Sequence, residues 1–193
     1  MPVPAIDPER TAVLVIDMQR DFLDPGAPIE TPGGRAIIPA INRLTARARA
    51  LGIPVVFTQE MHRADKSDFG IELQFEPPHC LEGTPGMELA ERLEVAPTDY
   101  RIMGKRRYDA FLGTDLETLL RGLRAENLIV AGVCTDVCVT STVQHARNLD
   151  FRCVVPRECV AGTAPERHEA ALLCLGHVFG YVVSLPEVEA ALR

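Results

Sequence analysis

The sequence predicts an α/β fold, an open parallel sheet with helices on both faces. Three observations predict it: short β-branched runs without polar alternation, as in strands buried on both sides; stretches of helical apolar spacing between them; and brief connections, so that the two patterns alternate. At 193 residues the chain is the size of one domain, 1–193, long enough to bury a core without disulfides.

The first strand is TAVLVID, 11–17, which ends on an acid. GGRAIIPAINRLTARARALG, 33–52, carries apolar residues at 37, 38, 41, 44, 48 and 51, a helical stripe closed by Gly52. IPVVFTQ, 53–59, is the next strand and completes a βαβ unit. Residues 60–98 lose both periods and are rich in Pro, Gly and charge, with a short helix expected at 86–93; long irregular segments in compact domains are usually functional. YRIMGK, 100–105, is a strand, and TDLETLLRGLRAEN, 114–127, is a helix capped by Thr114 with Glu117 three residues on. LIVAGV, 128–133, and FRCVVP, 151–156, are strands around a helix at 136–150. A helix at 165–179, the strand YVVS at 181–184 and a short terminal helix complete the pattern. Right-handed crossovers would join these units, and in such sheets ligands bind at the carboxyl ends of the strands.

Composition excludes several classes of function. With 47% hydrophobic and 24% charged residues the chain reads as an ordinary soluble globular protein. Twenty basic against 27 acidic residues, a formal charge of -7, leave no basic face for a nucleic-acid backbone, and KRR at 105–107 is too short to form one. The first residues lack the pattern of a signal peptide, and no apolar run reaches the ~18 residues of a membrane span, so the expected location is cytoplasmic. In a reducing compartment Cys80, Cys134, Cys138, Cys153, Cys159 and Cys174 are buried thiols, metal ligands or a catalytic thiol rather than a disulfide framework. Neither a GxGxxG fingerprint nor a Walker loop is present.

Asp17, Gln59 and Cys134 fall at or just past strand ends, and Lys105 ends its own strand. Cys138 falls in the first turn of the helix that follows LIVAGV, where free N–H groups and the helix dipole favour a thiolate. A lysine near both an aspartate and a cysteine would keep the acid ionised and favour the thiolate further. The residues alone also allow two inert thiols in a tight turn, or a redox or metal pair of Cys134 and Cys138, although four-residue spacing points their side chains apart.

VLVIDMQRDF (13–22), TQEMH (58–62), PPHCLEGTPG (77–86), GKRRYDAFLGTDL (104–116) and VAGVCTDVCVTST (130–142), in this order, resemble the isochorismatase-like cysteine hydrolases. That group includes nicotinamidases, N-carbamoylsarcosine amidases, ureidoacrylate amidohydrolases and biuret hydrolases. The resemblance covers nearly the whole chain. It implies a Rossmann-like open six-stranded parallel sheet, a catalytic Asp17, Lys105 and Cys138, and a cis peptide between Val133 and Cys134. It also implies an oxyanion hole of the N–H groups of Cys134 and Cys138, and Phe22 as an aromatic wall against the substrate. The implied activity is cysteine-dependent hydrolysis of a small amide, carbamoyl or ureido C–N bond through a thioester, because isochorismatases proper cleave a vinyl ether and lack this cysteine. A homo-oligomer, dimer or tetramer, is implied as well.

Nicotinamidases of this group hold a divalent metal by an Asp-x-His pair and a later histidine, and Glu60, His62 and His79 stand in those places. A carboxylate with two histidines suits zinc or iron. Glutamate replaces aspartate, however, and DKSDFG stands where that subfamily has a further histidine, so the expectation is no cofactor and no metal. The alternatives are a metal-dependent nicotinamidase and a non-enzymatic binding domain on the same fold. Arg106 and Arg107 are candidates to attract a substrate carboxylate.

Overall fold

The computed structural model describes residues 3–192. Its strands are β1 Thr11–Ile16, β2 Val55–Glu60, β3 Tyr100–Lys105, β4 Asn127–Val133, β5 Arg152–Pro156, β6 Val160–Ala161 and β7 Gly180–Val183. The helices are α1 Arg20–Leu23, α2 Ile38–Ala50, α3 Leu116–Gly122, α4 Thr140–Asn148, α5 Pro165–Cys174 and α6 Leu185–Ala191. All strands join one parallel sheet in the order β3-β2-β1-β4-β5-β7, with β6 beside β4. Six of them are the expected strands. The seventh, β6, is two residues long, too short to leave a period in the sequence.

β1 shows why its sequence carries no alternation. Val13 and Val15 pack into one core with Ile41, Leu44 and Ala48 of α2, while Ala12, Leu14 and Ile16 pack into the other with Val143 and Ala146 of α4. Both faces of the strand exclude water, so apolar residues are favoured at every position. Gly132 lets β4 lie against β1: its φ is +112°, and a Cβ there would sit 2.1 Å from the Ile16 carbonyl oxygen. Successive strands run outward from β1 to β3 on one side and from β4 to β7 on the other. The crevice between the carboxyl ends of β1 and β4 is therefore the topological switch point, where open α/β sheets bind ligands.

Several elements differ from expectation, each for a physical reason. Residues 86–93 form no helix beyond a 3-10 turn at Pro85–Met87, because other segments take up their backbone groups. Met87 O accepts from the side chains of Gln19 and Gln59, the N–H of Ala90 donates to Met18 O, and Glu88 O accepts from the N–H of Arg20. α3 starts at Leu116 with Asp115 at the cap position, while Thr114 Oγ1 accepts from the Leu116 N–H at 3.2 Å. It ends at Gly122, where Arg124 turns left-handed with φ 57°. The helices expected at 136–150 and 165–179 each contain a π-helical turn, Thr135–Val139 before α4 and Leu175–Phe179 after α5. No helix among the described residues is long and apolar enough to cross a membrane.

Candidate active site

Asp17 follows β1, Glu60 ends β2, Lys105 ends β3 and Cys134 follows β4, so four neighbouring strands deliver side chains to one crevice. A register shift at Gln59/Glu60 pairs Glu60 with Lys105 across β2 and β3. The Lys105 side chain is wholly buried, with Nζ 2.7 Å from Asp17 Oδ2, 2.9 Å from Glu60 Oε2 and 3.7 Å from Cys138 Sγ. Asp17 Oδ1 accepts from the Thr58 hydroxyl at 2.7 Å. Oxygens of Asp17 and Glu60 and the sulfur of Cys138 all lie within 4.8 Å of one another.

Charges in this group offset one another unevenly. Burial alone would strip Lys105 of its proton, but Asp17, Cys138 and Glu60 outweigh it and hold the ammonium well above its usual range. Burial would also raise Glu60, yet Lys105 and then the hydrogen bonds from His62 and His79 hold its carboxyl well below the ordinary value. Asp17 is raised, chiefly by burial and also by Glu60, against the pull of Lys105. Cys138 is pushed well above the usual thiol range by burial first, with Lys105 opposing and Asp17 and Glu60 adding. Burial thus opposes the thiolate that Lys105 favours.

The turn after β4 holds the two cysteines apart. Val137 and Val139 N–H groups both donate to Cys134 O, at 3.0 and 3.1 Å. Among the described residues the N–H groups of Cys134 and Cys138 donate to nothing outside the turn, and the Val133–Cys134 peptide is cis. Cys134 packs into the α2 core, its sulfur 3.1 Å from Thr31 Oγ1, whereas Cys138 packs into the α4 core beside Lys105. Both thiols are free, and a redox pair has no support in this arrangement. A narrow cavity of about 20 Å³ lies over Cys138 between Phe22, Ile29, Tyr108 and Val137, with Glu76 and His79 on its polar side.

Beside it lies a second cluster. His62 Nε2 is 3.0 Å from Glu60 Oε1, and His79 Nε2 is 3.5 Å from both Glu60 Oε1 and Glu72 Oε1. His79 Nδ1 donates to Pro77 O at 2.8 Å, which leaves Nε2 facing the two carboxylates, and His62 Nδ1 lies 3.3 Å from Asp68. One buried oxygen, Glu72 Oε1, has no hydrogen-bond partner among the described residues. Two imidazoles and two carboxylates with donor atoms within 4.8 Å of one another fit a divalent metal, whose tetrahedral ligands stand roughly 3.4 Å apart for bonds of ~2.1 Å. The partners of the outer ring nitrogens are of the kind that orient metal-binding histidines.

Residues 11–187 match the family described as Isochorismatase domain. The chain belongs to the isochorismatase family. N-carbamoylsarcosine amidase of Arthrobacter sp. is 33% identical over 186 residues, 93% of this chain and 70% of that protein. Among solved structures, an isochorismatase family protein from Desulfovibrio vulgaris superposes with a TM-score of 0.88 at 32% identity, over 94% of this chain and 97% of its own. The pyrazinamidase of Pyrococcus horikoshii, solved in complex with zinc, gives 0.83 at 30% identity over 91% and 99%. This member of the isochorismatase family is a hydrolase, and amidases and amidohydrolases are among its relatives.

Against the residues expected from sequence, the structure lines one cavity with Cys138, Cys134, Phe22, Glu60 and His79, sets Lys105 behind it against Cys138, Glu60 and Asp17, and places His62 beside Glu60. Arg106 and Arg107 do not line it: Arg106 pairs with Asp68 and Glu82 at 3.2 and 3.1 Å, and Arg107 donates to the Asp68 carbonyl. Sequence reasoning missed Thr58, Glu72, Glu76 and Tyr108, and the second carboxylate that Glu60 presents to Lys105. For Glu60 a signal existed, because TQE ends a buried strand on an acid just as VLVID does. Gln19 and Asp21 were missed as well. Gln19 bonds both the N–H and the carbonyl of Glu60 at 2.7 Å, and Asp21 accepts from the Cys80 N–H at 2.6 Å, so the first motif fastens the loop over the site.

Proposed function

We propose that the chain hydrolyses a small amide, carbamoyl or ureido C–N bond through a thioester on Cys138. The observation that carries this reading is the convergence of the Asp17 carboxylate and the Lys105 ammonium on the Cys138 thiol, which lines the cavity. Asp17, with its proton affinity raised by burial, is suited to take the thiol proton as sulfur attacks the carbonyl carbon. Lys105 stays charged throughout and offsets the negative charge that moves between carboxylate and sulfur. The tetrahedral oxyanion would rest on the N–H groups of Cys134 and Cys138. As the C–N bond breaks, Asp17 returns its proton to the leaving nitrogen, which departs as ammonia or an amine. Water then adds to the thioester carbon and gives a proton to Asp17, the C–S bond breaks, and the sulfur recovers that proton.

The test is ammonia release from a panel of nicotinamide, biuret, ureidoacrylate and N-carbamoyl amino acids, with Cys138→Ala as control. Turnover by the wild type with a loss of at least about 10³-fold in the variant is expected for a lost nucleophile. A Cys138→Ala protein that keeps most of its rate would sink the assignment.

A second reading, favoured by the unpartnered Glu72 oxygen, concerns the neighbouring cluster. Glu60, His62, Glu72 and His79 would hold a divalent cation, which when bound would supply a Lewis acid to polarise a substrate atom in the cavity. Elemental analysis of protein purified without added metal is expected to show about one zinc, iron or manganese per chain, reduced in Glu72→Ala and His79→Ala. Metal-free wild-type protein that takes up no zinc, iron or manganese in a calorimetric titration would exclude it.

A further inference from the structure

We propose that Glu76 selects the substrate by charge, so that the amide cleaved at Cys138 is neutral or cationic and carries no carboxylate. This rests on the amidohydrolase reading above and narrows it. Two carboxylates line the cavity, and they differ in their partners. Glu60 has Lys105 at 2.9 Å and His62 at 3.0 Å, so its charge is offset. Glu76 is half-buried, and its carboxylate has neither an ion pair nor a side-chain hydrogen bond among the described residues.

The basic group that acts on it, His79, is shared: its Nε2 lies 3.5 Å from both Glu60 and Glu72, and it does not reverse the rise of the Glu76 carboxyl that burial causes and Glu60 adds to. Lys105 is engaged by both Asp17 and Glu60, Arg106 by Asp68 and Glu82, and Arg107 by backbone carbonyls; neither arginine reaches the cavity. A divalent metal on the adjacent cluster, taken together with Lys105, would be matched by the three carboxylates Asp17, Glu60 and Glu72, and would leave Glu76 without a partner of its own. A substrate carboxylate would therefore meet a carboxyl with no partner of its own and only cations already shared among other carboxylates, and like charges brought together in a partly dry site are strongly disfavoured. An ammonium or an amide N–H would find in Glu76 an acceptor with nothing else bound to it. Phe22, Ile29, Tyr108 and Val137 supply apolar walls for the rest of a compact molecule. The same negative field is felt at Tyr108, whose phenol is pushed up to about 12 by burial and then by Glu72 and Glu76.

Three primary amides of similar size separate the charges: succinamate, succinamide and 4-aminobutanamide. Ammonia release by the intact enzyme gives kcat/KM for each, and calorimetric binding to Cys138→Ala protein gives a ranking without turnover. Succinamate is expected to be weakest by roughly tenfold or more in both measurements, and Glu76→Gln to close most of that gap while its thermal midpoint stays with the wild type. Succinamate ranked first, no ranking at all, or a ranking unchanged in Glu76→Gln would overturn the proposal. If the binding order holds and responds to Glu76→Gln although the wild type releases ammonia from none of the three, the charge selection stands and the amidohydrolase reading falls.

Discussion

Cys134 and Cys138 stand four residues apart in one turn, and their surroundings give them different work. The Cys138 sulfur has a lysine ammonium at 3.7 Å and a carboxylate within 4.8 Å, the surroundings of an activated nucleophile. The Cys134 sulfur has a threonine hydroxyl at 3.1 Å and an apolar core behind it, and burial pushes its thiol up to about 12. What Cys134 would contribute is its N–H, which any residue but proline supplies. Cys134→Ser keeps that N–H, nearly keeps the volume, and leaves the new hydroxyl within reach of Thr31. Its kcat/KM on whichever amide the wild type cleaves is expected to stay within roughly threefold, since a small, hydrogen-bonded substitution away from the reacting atoms has modest effects. Measured beside Cys138→Ala, a Cys134→Ser enzyme that fell as far would show that the sulfur itself takes part.

At the scale of elements, legibility followed burial. β1, β2 and β4 were the most readable because both faces of each are dry, and a run such as TAVLVID, buried at all of its first six positions, has one physical reading; the edge strands β3 and β7 are partly exposed. Strand ends were readable for the same reason: a charged residue closing an apolar run must have a partner, which drew attention to Asp17 and Lys105. The π-helical turn that carries Cys138 was not legible, because its wide hydrogen bond from Val139 N–H to Cys134 O depends on how the turn packs on its neighbours, and composition does not encode that. Nor was the segment between β2 and β3. A helix at 86–93 is locally plausible, but Gln19 and Gln59 take the Met87 carbonyl, and tertiary bonds override the local preference. Glu72 and Glu76 lie in that same segment. Their meeting with His79 and Tyr108 is set by the path of a loop closing over the sheet, and no periodicity reports it.

For the whole molecule, the buried thiols make stability depend on alkaline pH. Cys80, Cys134, Cys138, Cys153 and Cys159 are buried across both cores, and Cys174 is exposed. Burial is the first cause in each buried case: Cys134, Cys153 and Cys159 are pushed up to about 12, and Cys80 and Cys138 are raised as well. In the unfolded chain the same thiols titrate near ~8.5. A folded pKa above the unfolded one means that, between the two values, the native state holds more protons than the unfolded state, so stability falls as pH rises. The thiol contribution is intact below about pH 8 and is lost progressively above it, by about 1.4 kcal/mol per pH unit for each thiol that ionises only when unfolded. Lys105 and Tyr108 are raised too and act in the same direction, but from unfolded values of ~10 or above, so the window from 8.5 to 10 belongs mainly to the cysteines. Urea unfolding in reducing buffer is therefore expected to give a midpoint that is steady from pH 7 to 8 and declines from pH 8.5 to 10. Cys153→Ala, which lowers the midpoint at every pH by its lost packing, should have a shallower decline, because one thiol no longer contributes to the slope. A midpoint flat across that window, or a decline as steep in Cys153→Ala as in the wild type, would show that the buried thiols do not govern alkaline stability.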